Sequence, residues 1–132
     1  MIRTSEYRSL IDTLVESFGR QNEYYGQLEK LVRKILGKVV LSRGDLTGVM
    51  PLIAEKQRLM EAISTERERT RSETERWQRE KEHCDSCPET KRLDAILSET
   101  QEVIGRYLEG EEQLRTYLQH LMPKDGGGDG EQ

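Results

Sequence analysis

Apolar side chains recur at helical spacing along three stretches of the chain, and polar positions fill the opposite faces. In the first stretch, neighbouring apolar positions are separated by three, four or seven residues. This is the period of one face of an α-helix and differs from the alternation of a β-strand. The positions are Ile11, Leu14, Phe18, Tyr25, Leu28, Val32, Ile35 and Val39. The pattern predicts a first helix over about 4–41.

A short polar break containing Gly44 and Asp45 follows this helix. Gly44 suits the left-handed conformation that ends many helices, and Asp45 or Thr47 can accept hydrogen bonds from the first N–H groups of the next helix. Pro51 limits where that helix begins, because proline is tolerated only near the first turn. We predict a second helix over about 47–83, antiparallel to the first because the connection is short.

The second helix changes character along its length. Its apolar face consists of Leu52, Ile53, Leu59, Met60 and Ile63. From Ser64 to Arg92 the only large apolar side chain is Trp77, and glutamate and arginine dominate. A helix that is polar all round is normally solvated. We therefore expect this span to stand partly clear of the bundle, with Trp77 making a local packing contact in preference to a binding role.

A third apolar stripe follows a break at Pro88 and predicts a third helix over about 89–122. The stripe consists of Leu93, Ile96, Leu97, Val103, Ile104, Tyr107, Leu108, Leu114, Tyr117, Leu118 and Leu121. The residues from 123 to 132 form an acidic, glycine-rich tail with nothing to bury. We expect this tail to be disordered.

The composition favours long helices over a thick core. Hydrophobic residues make up 33% of the chain and charged residues 35%, against roughly 45–50% and a quarter in an average globular domain. So few apolar side chains can fill only the narrow seam between two or three helices. We predict one all-α domain over 1–122, an elongated antiparallel helical hairpin or three-helix bundle with coiled-coil-like packing.

Several classes of function are disfavoured. A net charge of −4 provides no basic field for nucleic acid. The longest apolar run is far below the ~20 residues that membrane insertion requires. The N-terminus turns polar at once and lacks the apolar core of a signal peptide, so we expect a cytoplasmic protein. No phosphate loop, His-Glu-x-x-His motif or nucleophile with an obvious base is present, so we expect neither an enzyme nor a cofactor.

The stretch from His83 to Cys87 is the only one with the chemistry of a metal or redox site. Cys84 and Cys87 could bring two thiolates to one zinc ion, and His83 could add a third ligand. A structural zinc site needs four ligands, and the chain has no second Cys-x-x-Cys. We predict no metal, and keep as alternatives a zinc site completed by two chains and a reversible disulfide at the turn.

Two motifs mark the predicted hairpin. Gly44-Asp45-Leu46 lies at the turn, and Glu55-Lys56-Gln57-x-Leu59 lies early in the second helix. In both type and spacing they resemble motifs of the FlgN-type flagellar export chaperones, and the likeness covers about the first half of the chain. The resemblance implies a cytoplasmic chaperone of the flagellar type III export system. Such a chaperone holds C-terminal helical segments of hook–filament junction (hook-associated) proteins unassembled and delivers them to the export gate.

This resemblance makes the whole apolar stripe of the third helix, from Leu93 to Leu121, a candidate partner-binding surface. An amphipathic client helix can lay its apolar face into a groove of a helical hairpin. We expect the third helix to cover the hairpin in the free protein, and to shift or to form part of the groove when the client binds.

Two other functions remain open from the sequence. One is a homo-oligomeric coiled-coil scaffold, a homodimer for example, in which the charges of the second helix set the pairing between chains. The other is a zinc- or redox-responsive adaptor that uses Cys84 and Cys87.

Overall fold

The computed structural model of the protein describes residues 4–43, 45–81 and 88–121. Every regular element in these ranges is helical, which confirms the predicted all-α bundle. A 3₁₀ turn, Thr47–Val49, precedes the second helix. The helices are α1 (Thr4–Leu41), α2 (Met50–Arg69), α3 (Arg71–Glu80) and α4 (Pro88–Leu121). No helix in the described part of the chain is long and apolar enough to cross a membrane.

The long helix α1 is the central helix of the bundle, because α2, α3 and α4 all pack on it. Val49 packs near Val39 at one end of α1, and Trp77 packs near Tyr7 at the other, so α2 and α3 run antiparallel to α1. Helix α4 returns parallel to α1. Within the described ranges, no Cα atom of α2 or α3 comes within 8 Å of one in α4. The two layers therefore flank α1 and leave a gap between their backbones.

Three apolar clusters follow one another along α1. The first contains Tyr7, Leu10, Ile11, Leu14, Trp77 and Leu93. The second contains Leu28, Val32, Leu59, Ile63 and Tyr107, and the third Ile35, Val39, Val49 and Leu114. Their α1 members recur at three or four residues, as the sequence pattern predicts. The packing of Trp77 in the first cluster confirms its predicted role as a packing residue.

A nearly constant sequence offset relates the paired residues of α1 and α4. The Asn22 amide donates to Thr100 Oγ1 at 3.1 Å, and Arg106 Nε donates to Glu29 Oε2 at 3.2 Å. Both pairs join residues that lie 78 or 77 positions apart in the chain. A repeated offset of this kind is the register of two parallel helices packed side by side.

The prediction of one continuous second helix over 47–83 is wrong in part. The helix breaks at Thr70, whose backbone (φ −113°, ψ 19°) is not helical, and α3 continues beyond it. The expectation that the charged span stands partly clear of the bundle is wrong for its inner side. Glu66 is 8%, Thr70 2% and Trp77 9% exposed, because the inner side of this span packs on α1.

In the turn between α1 and α2, Asp45 accepts a backbone hydrogen bond, as expected. Arg43 takes the left-handed backbone conformation, with φ 57°. The backbone N–H of Thr47 donates to Asp45 Oδ1 at 3.0 Å, and this hydrogen bond lowers the pKa of the Asp45 carboxyl. Helix α4 begins one residue before the predicted start, since proline is accepted in the first turn of a helix. Its predicted last residue, Met122, lies outside the described residues. Gly44, His83, Cys84, Cys87 and the tail 123–132 lie outside the described residues.

Candidate functional site

An open apolar groove runs between α2 and α4 over the C-terminal half of α1. Its lining includes Ile35 of α1, together with Leu114 and Leu118 of α4. Ile53 of α2 and Leu108 of α4 also line it and are 39% and 57% exposed. Its volume is about 510 Å³. Because the backbones of α2 and α4 do not approach each other, the apolar surface between them remains open.

Charged and hydroxyl groups of both walls meet across this groove. Lys56 Nζ of α2 lies 2.6 Å from Glu111 Oε2 of α4. The Tyr107 hydroxyl donates to the same oxygen at 2.7 Å. Burial, and then the hydrogen bond to Glu111, raises the pKa of Tyr107. Arg115 and Glu112 pair with each other beside these groups. The groove therefore combines an apolar lining with both signs of charge, which suits an amphipathic occupant.

The structure divides the predicted partner-binding stripe of α4 into three parts. Leu93, Val103, Tyr107 and Leu114 are buried among the bundle helices. Ile96, Leu97, Ile104, Tyr117 and Leu118 are half-buried, while Leu108 and Leu121 are exposed. Most of the stripe therefore holds α4 on α1, the first helix of the hairpin, while a gap separates the backbones of α4 and α2. Leu108, Leu114 and Leu118 are the members that line the groove.

The predicted site omits the residues that α1 and α2 contribute to the groove. Ile53 and Lys56 lie on the side of α2 that faces α4, beside the core positions Leu59 and Ile63. A signal for Ile53 was present in the sequence. Leu52 lies seven residues before the core position Leu59, so the two share one face of α2. Ile53 is the next residue after Leu52, so Leu52 and Ile53 cannot both face α1.

A second polar site lies at the break between α2 and α3. The Ser17 and Thr70 hydroxyl oxygens, both in buried residues, are 3.1 Å apart. The Glu66 carboxylate pairs with Arg69 at 2.6 Å and with Arg20 of α1 at 3.1 Å. The hydrogen bond from Arg69 is the largest cause that lowers the pKa of Glu66 to about 2, against a smaller opposing effect of burial. Because its groups are mutually paired, this site holds the helix break against α1.

The described residues contain no group of three or more histidine, cysteine, aspartate or glutamate side chains placed to hold a metal ion. The predicted candidates His83, Cys84 and Cys87 lie outside that part of the chain, so their role stays a prediction.

No protein-family model, no curated protein and no solved structure matches this chain. The groove between α2 and α4 and the two sequence motifs of the hairpin are therefore the basis for a functional proposal.

Proposed function

We propose that this protein is a non-catalytic, cytoplasmic export chaperone of the FlgN type. Its groove between α2 and α4 receives one amphipathic helix from the C-terminal segment of a hook-associated protein. Binding keeps the client helix from premature assembly until the complex reaches the type III export gate. The motifs Gly44-Asp45-Leu46 and Glu55-Lys56-Gln57-x-Leu59 support the family, and the open groove supports the mode of binding.

The observation that carries the proposal is a pair of exposed aliphatic side chains on opposite walls of the groove. Ile53 and Leu108 contact water over 39% and 57% of their surfaces although apolar neighbours surround them. Full burial of such a side chain contributes about 1.5–3 kcal/mol, and the part still exposed here leaves roughly 1 kcal/mol for each. A client helix with apolar residues at positions i, i+3, i+4 and i+7 would cover both.

The length of the groove defines the length of the client segment. Leu108 and Leu118 are separated by ten residues of α4, or about 15 Å. About three turns of a client helix lie over that distance. Lys56, Glu111, Glu112 and Arg115 offer both signs of charge, so the polar flanks of the client should carry acidic and basic residues.

The burial of α4 supports a mode in which the client binds beside this helix and does not replace it. Displacement of α4 would expose Leu93, Val103, Tyr107 and Leu114, all at least 93% buried. At about 1.5–3 kcal/mol for each side chain, this exposure costs more than one client helix would return. Of the two roles that the sequence left open for the third helix, forming part of the groove is the less costly.

The proposal is tested with the full chain and synthetic peptides that cover the C-terminal helices of hook-associated proteins. We expect one peptide per chain by isothermal titration calorimetry and by sedimentation. Leu108→Asp and Ile53→Asp should each weaken binding by at least about tenfold, because a charge replaces an apolar contact. Met50→Asp is the matched control, since Met50 is 57% exposed and outside the groove lining.

Different outcomes separate the site from the function. If the peptides bind but Leu108→Asp and Met50→Asp behave alike, the function stands and the groove is the wrong site. If no peptide binds and the free chain is a stable dimer, the homo-oligomeric scaffold replaces the chaperone. The structure weakens one argument for that scaffold, because charges of α2 and α3 already pair within the chain, as in Glu66–Arg20 and Glu68–Arg71.

A further inference from the structure

The C-terminal half of α1 carries an excess of positive charge. Residues 30–44 contain five basic side chains and no acidic one, in a chain whose net charge is −4. The remaining residues together therefore carry −9. This local concentration of cations in an acidic protein differs from the charge pattern of α2 and α3, in which acidic and basic residues are mixed.

The lysines of this segment share one exposed face. Lys30, Lys34 and Lys38 follow one another at four-residue spacing, which places them on one side of the helix. All three are exposed, whereas Val32 and Val39 on the opposite side are completely buried.

An exposed leucine ends this face. Leu41, three residues after Lys38, is 86% exposed, and Val40 beside it is 45% exposed. The face therefore combines a row of cations with an aliphatic tip.

The bundle does not use these charges. Among the described residues, no ion pair involves Lys30, Lys34, Lys38 or Arg43. Arg33 is the exception, because it pairs with Glu29 at 2.9 Å. The nearby acidic groups are already engaged. Glu55 pairs with Arg58, and Asp45 accepts the N–H of Thr47.

The dipole of α1 accounts for only part of the charge. The negative end of a helix dipole favours cations within its last turn, and Lys38 is the basic residue of that turn. Lys30 and Lys34 lie one to two turns earlier, where the effect has faded. A surface outside the bundle is therefore a better explanation for the row as a whole.

We propose that this face of α1 is a peripheral docking surface for anionic membranes. Lys30, Lys34 and Lys38 contact lipid headgroup phosphates, and Leu41 enters the headgroup region. Each cation near an anionic bilayer strengthens binding roughly fivefold, whereas an exposed ion pair with another protein rarely contributes more than a few fold. The inference is independent of the chaperone function.

The acidic residues earlier in the same helix do not oppose this docking. The closest acidic residue before the row, other than the paired Glu29, is Glu23. It lies seven residues before Lys30, or about 10 Å along the axis. This is close to the Debye length at physiological salt, so its repulsion from the membrane is largely screened. The bundle should dock with its α1–α2 end towards the lipid and its acidic N-terminal end tilted away.

The test is co-sedimentation of the full chain with vesicles of phosphatidylcholine alone and with about one third phosphatidylglycerol. We expect binding to the anionic vesicles only, and a steep fall between about 50 and about 500 mM salt. Lys30→Gln/Lys34→Gln/Lys38→Gln should weaken binding about 100-fold. Leu41→Ser, which removes the aliphatic tip, should weaken it several fold.

The matched control is Arg67→Gln/Arg79→Gln/Lys91→Gln, which changes the net charge equally at three exposed positions of α2, α3 and α4. It should bind within about threefold of the unchanged protein. Circular dichroism of each variant confirms that the exposed substitutions leave the helices intact. Equal losses in both triple variants would overturn the proposal, as would no binding to anionic vesicles. Binding to polyglutamate without binding to vesicles would also overturn it and assign the face to an acidic protein.

Discussion

Replacing Gly110 by alanine tests a close approach between α1 and α4. A Cβ atom at Gly110 would lie 3.1 Å from Val32 Cγ1, closer than ordinary van der Waals contact. Val32 is completely buried. Gly105 lies five residues earlier in the same helix, and a Cβ atom there would meet nothing within 4 Å. The two positions therefore separate the helix propensity of alanine from the packing cost of its methyl group.

The two substitutions should change the free energy of unfolding differently. Alanine is favoured over glycine in a helix interior by about 1 kcal/mol, and this gain applies at both positions. At Gly110 an overpacking cost of about 1–3 kcal/mol opposes it. Val32 cannot easily move away, because a β-branched side chain in a helix has one strongly preferred rotamer. Gly105→Ala should raise the free energy of unfolding by about 1 kcal/mol, while Gly110→Ala should leave it unchanged or lower it by up to about 2 kcal/mol.

The assay is urea denaturation followed by far-ultraviolet circular dichroism, for both variants and for Gly110→Ala in a Val32→Ala background. Removal of the Val32 methyl groups should let Gly110→Ala stabilise the protein, because the obstructing Cγ1 atom is gone. If Gly110→Ala stabilises the unchanged protein as much as Gly105→Ala does, α4 is not packed on α1 at the distance described.

Three further predictions concern other parts of the bundle. The pKa of Glu66, about 2, lies below its ordinary 4.5, so its contribution is present above about pH 4.5 and lost as pH falls towards 2. In urea titrations near pH 7, Glu66→Gln should lower the free energy of unfolding by about 1–2 kcal/mol, a value reduced by solvent screening at its partly exposed arginine partners. This difference from the unchanged protein should shrink near pH 3. Glu68→Gln, in an exposed ion pair, should show almost no difference. Trp77→Ala should cost about 3–5 kcal/mol, and Trp77→Phe less than half as much, because the buried indole N–H has no partner among the described residues; equal losses in thermal melts would contradict this. Thr100→Val should cost about 1 kcal/mol in urea denaturation, because the Asn22 amide loses its acceptor, and an unchanged midpoint would refute the predicted contribution of this hydrogen bond.

The candidate site was predictable only in part. The stripe of α4 was visible in the sequence, and three of its members, Leu108, Leu114 and Leu118, line the groove. Spacing alone could not distinguish them from Leu93, which is completely buried. Both kinds of residue lie on the apolar side of the helix, and only the positions of the neighbouring helices decide which of them remain in contact with water.

The sequence by itself determined the long helices and their inner faces. The predicted first helix over 4–41 coincides with α1, and α4 begins within one residue of its prediction. The reason is that the period of a helix is local. Residues three or four apart share a face whatever lies opposite.

Only the tertiary structure decided where the charged span breaks and what it contacts. Glu66 and Thr70 are buried because Arg20 and Ser17 of α1, some fifty residues away in sequence, provide partners for their polar atoms. A charge run viewed along the chain predicts solvation, since its partners cannot be located from spacing. The gap between α2 and α4 has the same origin. The gap depends on where α2 and α4 pack on α1. These positions are distances between helices, and the apolar period within one helix does not determine them.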